Sequence, residues 1–144
     1  MFVLTLYRNQ DCIDLIHSEL ECNPEFLVLN QHESESYFTK IDTYSTFSKY
    51  FENDVLAGFI SYYCNNLETK EAFITLVLVN RLYRGRSIAR KLIENVLITL
   101  KKNGFFECKL EVRKDNINAI KLYESLGFST LYVSADKLVM SVLV

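Results

Sequence analysis

Residues 72–104 read AFITLVLVNRLYRGRSIARKLIENVLITLKKNG, and this run decides the fold. Its first eight residues are apolar almost throughout, the composition of a strand buried on both faces of a sheet. After a short cation-rich loop, Ile88, Ala89, Leu92, Ile93, Val96, Leu97 and Leu100 recur at spacings of three and four, the apolar stripe of a helix. Gly104 stands where a helix end favours a left-handed residue. A second strand, residues 105–112, then lies beside the first through a right-handed crossover.

Working outward, residues 116–126 form a second clear helix closed by Gly127. Residues 128–133 and 138–144 finish as strands around the turn Ser134, Ala135, Asp136. On the other side, residues 44–51 and 55–64 are β-like and flank the turn pair Asn53-Asp54, which predicts a hairpin. The polar residues 65–70 make the next turn. In residues 10–20, Cys12, Ile13, Leu15, Ile16 and Leu20 keep helical spacing behind Asn9 as a cap. Residues 1–7 read as a first strand, and residues 33–41 as a short helix inside the least legible segment, 23–43. The order βααβββαβαββ is an α+β sheet with helices on both faces.

With 144 residues, 49% hydrophobic and 24% charged, the chain is bounded to one domain over residues 1–144. A net charge of −2 and a pI near 5.7 give no electrostatic reason for nucleic acid or an anionic membrane as partner. No run reaches the roughly 20 apolar residues of a membrane span. The N-terminal apolar run is short, lacks a preceding basic region and meets Arg8, so it resembles a strand more than a signal peptide. Cys12, Cys22, Cys64 and Cys108 show no C-x-x-C spacing, and Cys12 and His17 point to different sides of a helix. Reduced thiols in a cytoplasmic protein without a metal site are the expectation.

The junction Arg81-Leu-Tyr-Arg84-Gly85-Arg86-Ser87-Ile88-Ala89 is a short loop opening a helix. Free amides at a helix N-terminus and the macrodipole favour an anion there; a solvated turn bearing three arginines is the plainer alternative. Downstream, Asn116 and Tyr123 are seven positions apart on one helix and so share a face, which can serve one ligand.

The run from residue 76 to residue 128 resembles the GNAT superfamily of acetyl-CoA-dependent N-acetyltransferases. Its phosphate loop follows Q/R-x-x-G-x-G/A and its later helix N-x-x-A-x-x-x-Y-x-x-x-G-F. The matches are Arg84, Ala89, Asn116, Ala119, Tyr123, Gly127 and Phe128. Within that superfamily LEVR at 110–113 and LYESLGF at 122–128 look most like the ribosomal-protein alanine N-acetyltransferases. One departure is Ser87 where the family has its first motif glycine; a serine in a right-handed helical conformation is accommodated there, at some loss of clearance.

The resemblance implies a mixed, mostly antiparallel seven-stranded sheet with a splayed central parallel strand pair. It also implies that the backbone of Val77, Leu78 and Val79 holds the pantetheine arm of acetyl-CoA like an added strand. Arg84, Gly85, Arg86, Ser87, Ile88 and Ala89 would cradle the pyrophosphate. Asn116 would bond the pantetheine or the acetyl-bearing end, and its position at the helix start also suits a cap; the two roles are compatible. Tyr123 would be the general acid for the leaving thiolate, and Glu111 the base, directly or through water. A backbone NH near Leu78 or Val79 would receive the oxyanion.

Plainer roles stand beside these. Tyr123 also suits core packing, and Glu111 also suits a solvated strand position or a pair with Arg113. Thr75 occupies the place where many relatives carry a catalytic glutamate, leaving Glu71 as a remote substitute. The aromatics between Tyr37 and Phe51, with Tyr62 and Tyr63, read as core or as acceptor pocket.

Three functions follow. The first is acetyl transfer to the primary amine of a small molecule: an aminosugar, a polyamine or an amino-acid derivative. The second is acetylation of a protein N-terminus; against it, only residues 134–137 join the last two strands, where the ribosomal-protein enzymes resemble one another in a longer tyrosine-bearing connection. The third is a non-catalytic acyl-CoA-binding module. Partners are acetyl-CoA and an amine acceptor, with a homodimer left open.

Overall fold

A computed structural model describes residues 6–27 and 31–144, the side chains of residues 31 and 32 excepted. The elements run α1 (Gln10–Cys22), α2 (Gln31–Tyr44), β1 (Thr46–Glu52), β2 (Val55–Asn66), β3 (Glu71–Val79), a 3-10 turn (Arg81–Tyr83), α3 (Ile88–Lys102), β4 (Glu107–Arg113), α4 (Ile117–Ser125), β5 (Ser129–Ser134) and β6 (Lys137–Leu143). Six strands form one sheet in the order β1-β2-β3-β4-β6-β5, antiparallel except for β3 with β4. The seventh strand expected over residues 1–7 falls largely outside the described residues; Leu6 and Tyr7 are not in a strand.

Local chemistry accounts for the boundaries. Asn53 and Asp54 both take positive φ, 48° and 64°, as a two-residue hairpin turn requires. At the end of α4, Gly127 has φ 97° and the Phe128 amide donates to the Tyr123 carbonyl at 3.0 Å, a Schellman closure. The start of α1 departs from expectation. The Asn9 side chain does not cap the helix but donates to Asp42 of α2, which also accepts from the Arg8 and Asn9 amides. A carboxylate is the stronger acceptor, so it collects these donors.

Each face of the sheet carries its own core. On one, Ile88, Leu92, Ile93, Val96 and Leu100 of α3 and Tyr123 of α4 pack on Ile60, Tyr62, Ala72, Ile74, Leu110 and Met140. On the other, Cys12, Ile13 and Ile16 of α1 with Phe38 and Ile41 of α2 cover Leu56, Phe59, Leu76 and Leu78. Ile74 and Leu76 lie two residues apart on β3 yet belong to opposite cores. Strict alternation forbids this, and a bulge resolves it: Tyr62 pairs with Ile74 and Ser61 with Leu76, leaving Thr75 as an extra residue.

Candidate active site

The parallel pairing of β3 with β4 covers only Glu71 with Glu107 through Ile74 with Leu110. Beyond it β3 stays on β2 as far as Val79, while β4 runs on with β6 to Arg113. Between residues 75–79 and the end of β4 the sheet is therefore open. The Asn80 amide donates to the Ala57 carbonyl at 2.8 Å, in register with the β2 ladder. By alternation the peptide groups of Leu76 and Leu78 face β2, and those of Val77 and Val79 face the opening. The expectation that Leu78 lends its backbone to a ligand is thereby corrected: its NH and carbonyl belong to the sheet.

The loop beyond Val79 is tightly determined. Asn80 accepts from the Leu82 amide at 3.0 Å and caps the 3-10 turn. Gly85 has φ 79°, and Ser87, the residue before α3, is left-handed at φ 59°, ψ 27°. This corrects the expected right-handed conformation of Ser87: the chain takes the geometry that glycine would supply, and a serine Cβ bears the strain. Ser87 makes no side-chain cap to α3, so the first helical amides keep no capping side chain.

The loop cations, by contrast, are engaged. Arg84 donates from Nη2 to Glu19 at 2.7 Å and from Nε to the Val79 carbonyl at 3.1 Å; Arg81 reaches the other Glu19 oxygen at 3.0 Å. Arg86 pairs with Glu52 at 2.9 Å and lies over the Tyr83 ring. Sequence reasoning passed over Glu19, although the signal was present: positions 12, 16 and 19 share one face of α1, and a carboxylate on an apolar stripe demands a partner.

Tyr123 is buried, 9% exposed, with its ring 5.8 Å from that of Phe128. Burial pushes its phenol above the ordinary tyrosine value, so the hydroxyl is a proton donor at neutral pH. That hydroxyl has no hydrogen-bond partner among the described residues and is not one of their fully buried polar atoms. Glu111 follows Leu110 on β4. Leu110 and Val112 enter the α3–α4 core, so Glu111 points to the face of α1 and α2. It is 45% exposed, with Lys137 at 3.7 Å. The alternative pairing with Arg113 is not seen, since Arg113 goes to Asp115 at 3.0 Å. Asn116 accepts from the Ala119 amide at 3.3 Å and caps α4.

At the bulge, the Thr75 hydroxyl meets that of Tyr37 from α2, and Tyr63 lies close enough to add to the burial that raises the Tyr37 phenol. Tyr62 belongs to the α3–α4 core instead. Glu71 sits at the closed end of the β3–β4 pair with Lys109 at 3.4 Å, away from the bulge. Two shallow hollows, about 510 Å³ beside Glu35, Thr39 and Tyr44 and about 300 Å³ between Tyr50 and Lys91, lie outside this seam. Among the described residues no group of three or more His, Cys, Asp or Glu is placed to hold a metal ion.

The chain as a whole is similar to known proteins. Residues 13–128 match the family model of the Acetyltransferase (GNAT) family. The chain belongs to the GNAT family. It is 41% identical over 59 residues to the [Ribosomal protein bS18]-alanine N-acetyltransferase of Escherichia coli K12, covering 41% of this chain and 40% of that protein. It is 38% identical over 60 residues to N-alpha-acetyltransferase 30 of Schizosaccharomyces pombe, covering 42% and 40%. The chain thus spans about 40% of the length of these relatives. The PaiA N-acetyltransferase of Thermoplasma acidophilum, solved with coenzyme A, shares the fold at a TM-score of 0.73 and 17% identity over 94% of this chain and 92% of that one. Like other members of the GNAT fold, the chain combines helices on both faces with one parallel strand pair in a mostly antiparallel sheet.

Proposed function

We propose that this protein binds acetyl-CoA in the opening between β3 and β4 and transfers the acetyl group to a primary amine, the α-amine of a protein N-terminus being the favoured acceptor. The observation that carries the reading is the exposed peptide edge at Val77 and Val79, leading into α3 without a capping side chain. An extended amide-bearing arm can pair with such an edge as an added strand. An anion suits the free amides of Ile88 and Ala89 beyond Ser87, with Gly85 and Arg86 beside them. Arg84 contributes by holding the loop against Glu19 and Val79.

Acetyl-CoA, when bound, supplies a thioester carbonyl and a thiolate leaving group. The residues provide the rest. Glu111, on the face of α1 and α2, takes the proton that the attacking amine must lose, directly or through water. The Val77 or Val79 amide donates to the oxygen on which negative charge builds. Tyr123, reaching from the α3–α4 face, gives its proton to the departing sulfur. Base and acid on opposite faces suit an acceptor and a donor that enter from opposite sides. Asn116 keeps its cap to Ala119, and its amide nitrogen can donate to the donor arm.

Preference for a protein acceptor over an aminosugar, polyamine or amino-acid derivative rests on the two relatives, one named as a ribosomal-protein-alanine N-acetyltransferase and the other as an N-alpha-acetyltransferase. The two-residue turn at Ala135 and Asp136 between β5 and β6 weighs the other way, toward a small amine, which keeps that class in the test. We place the protein in the cytoplasm, in keeping with four free cysteines. The test is thiol release from acetyl-CoA with peptides bearing free N-termini, the same peptides N-acetylated, and a panel of small amines. Turnover with free peptides alone supports the reading; turnover with small amines alone replaces the acceptor class. Acetyl-CoA binding without turnover on any amine would make the protein a silent acyl-CoA-binding module.

A further inference from the structure

Glu19 is 5% exposed and is the one charged side chain among the described residues that is buried. A carboxylate withdrawn from water is retained only where its charge and lone pairs are met. Here each oxygen takes a different guanidinium, Oε1 that of Arg81 at 3.0 Å and Oε2 that of Arg84 at 2.7 Å. Arg84 then uses Nε on the Val79 carbonyl at 3.1 Å. A single side chain of α1 thereby fixes two of the loop's three arginines, and through Arg84 it fixes the last residue of the open edge.

Two consequences follow. The Val79 carbonyl is occupied, so the groups of the edge left for a ligand are the Val77 NH and carbonyl and the Val79 NH. The backbone of residues 84–87, which includes left-handed Ser87, is held at a set distance from that edge although no side chain caps α3. The geometry points to Glu19 as a positioning residue of the donor site: it touches no ligand, and through Arg84 it holds the loop where its amides and the β3 edge serve one ligand. This rests on the acetyl-CoA reading proposed above and deepens it.

The test measures acetyl-CoA affinity by calorimetry and steady-state kinetics for Glu19→Gln, which keeps size and loses charge. The expected result is an acetyl-CoA Kd weakened about tenfold, the scale of one charge-assisted hydrogen bond. The KM for acetyl-CoA should rise in step while kcat stays within about twofold, the split that marks lost ground-state positioning. Asp42→Asn is the control for a merely structural role. It removes a separate long-range anchor at the start of α1, at Arg8 and Asn9, and should lower Tm without moving the Kd. Should Glu19→Gln not fold, Arg84→Lys keeps the charge but cannot reach Glu19 and the Val79 carbonyl together, and the same weakening is expected. An unchanged or tighter Kd in the variant tested, or an equal loss in Asp42→Asn, overturns the assignment. Absence of acetyl-CoA binding by the unaltered protein refutes the parent reading instead, and the two failures are thus told apart.

Discussion

Ile74 and Leu110 are the last two residues to face each other across the parallel strand pair, and the next residue on β3, Thr75, is the bulge. A bulge bends its strand and sharpens the local twist, which turns β3 away from β4 where the opening begins. The same extra residue moves Leu76 and Leu78 under α1 and α2. One irregular residue thus creates the edge and decides which side chains lie beneath it.

Replacing Tyr123 by Phe removes the proposed acid and little else, because the ring stays against Phe128. The expected outcome is a fall in kcat of roughly 10² to 10⁴ with acetyl-CoA affinity unchanged. With the phenol raised by burial, the acid stays protonated through neutral pH and is lost only as pH climbs through that raised value. A pH profile of thiol release should show this alkaline limb in the unaltered protein and not in the variant. Unchanged turnover would remove Tyr123 from the chemistry.

Ser87→Gly relieves a non-glycine residue held left-handed. The variant should be more stable by about 1 kcal/mol, read by calorimetry as a Tm roughly 2–5 °C higher. Removing the Cβ also widens the approach to the Ile88 and Ala89 amides, so acetyl-CoA should bind at least as tightly. A lower Tm would contradict the strain.

Asn116 can be divided by two substitutions. Asn116→Ala loses the cap to Ala119 and should cost about 1 kcal/mol. Asn116→Asp keeps an acceptor for that amide but has no nitrogen to donate, so its melting temperature should hold while the KM for acetyl-CoA rises. Equal kinetics in Asn116→Asp and the unaltered protein would confine Asn116 to capping.

Burial pushes the thiols of Cys12 and Cys108 up to about 12 from an ordinary value of 9.0. Between these values the folded protein holds more protons than the unfolded chain, so stability is fully present below about pH 9 and falls as pH rises toward 12. Thermal melts across that alkaline range should show a steady decline in Tm. A disulfide-exchange reagent at neutral pH should label exposed Cys22 readily, and Cys12 and Cys108 only on unfolding. Rapid labelling of either buried thiol in the native state would contradict this packing.

Periodicity, turn chemistry and motif spacing were enough to read the elements from α1 to β6, the parallel strand pair around α3, and the family. These signals are local: a stripe of α3, the Asn53-Asp54 turn and the Gly127 closure each depend on residues a few positions apart. The tertiary structure decided what depends on partners distant in the chain. It directed the Leu78 peptide groups to β2 and left Val77 and Val79 facing the opening. It also engaged Arg81 and Arg84 with Glu19, more than 60 residues away, and brought Lys137 of β6 to Glu111 of β4. Which strand edge stays unpaired and which cation finds a buried carboxylate are settled only when separate elements pack, because neither has a signature within a short window of sequence.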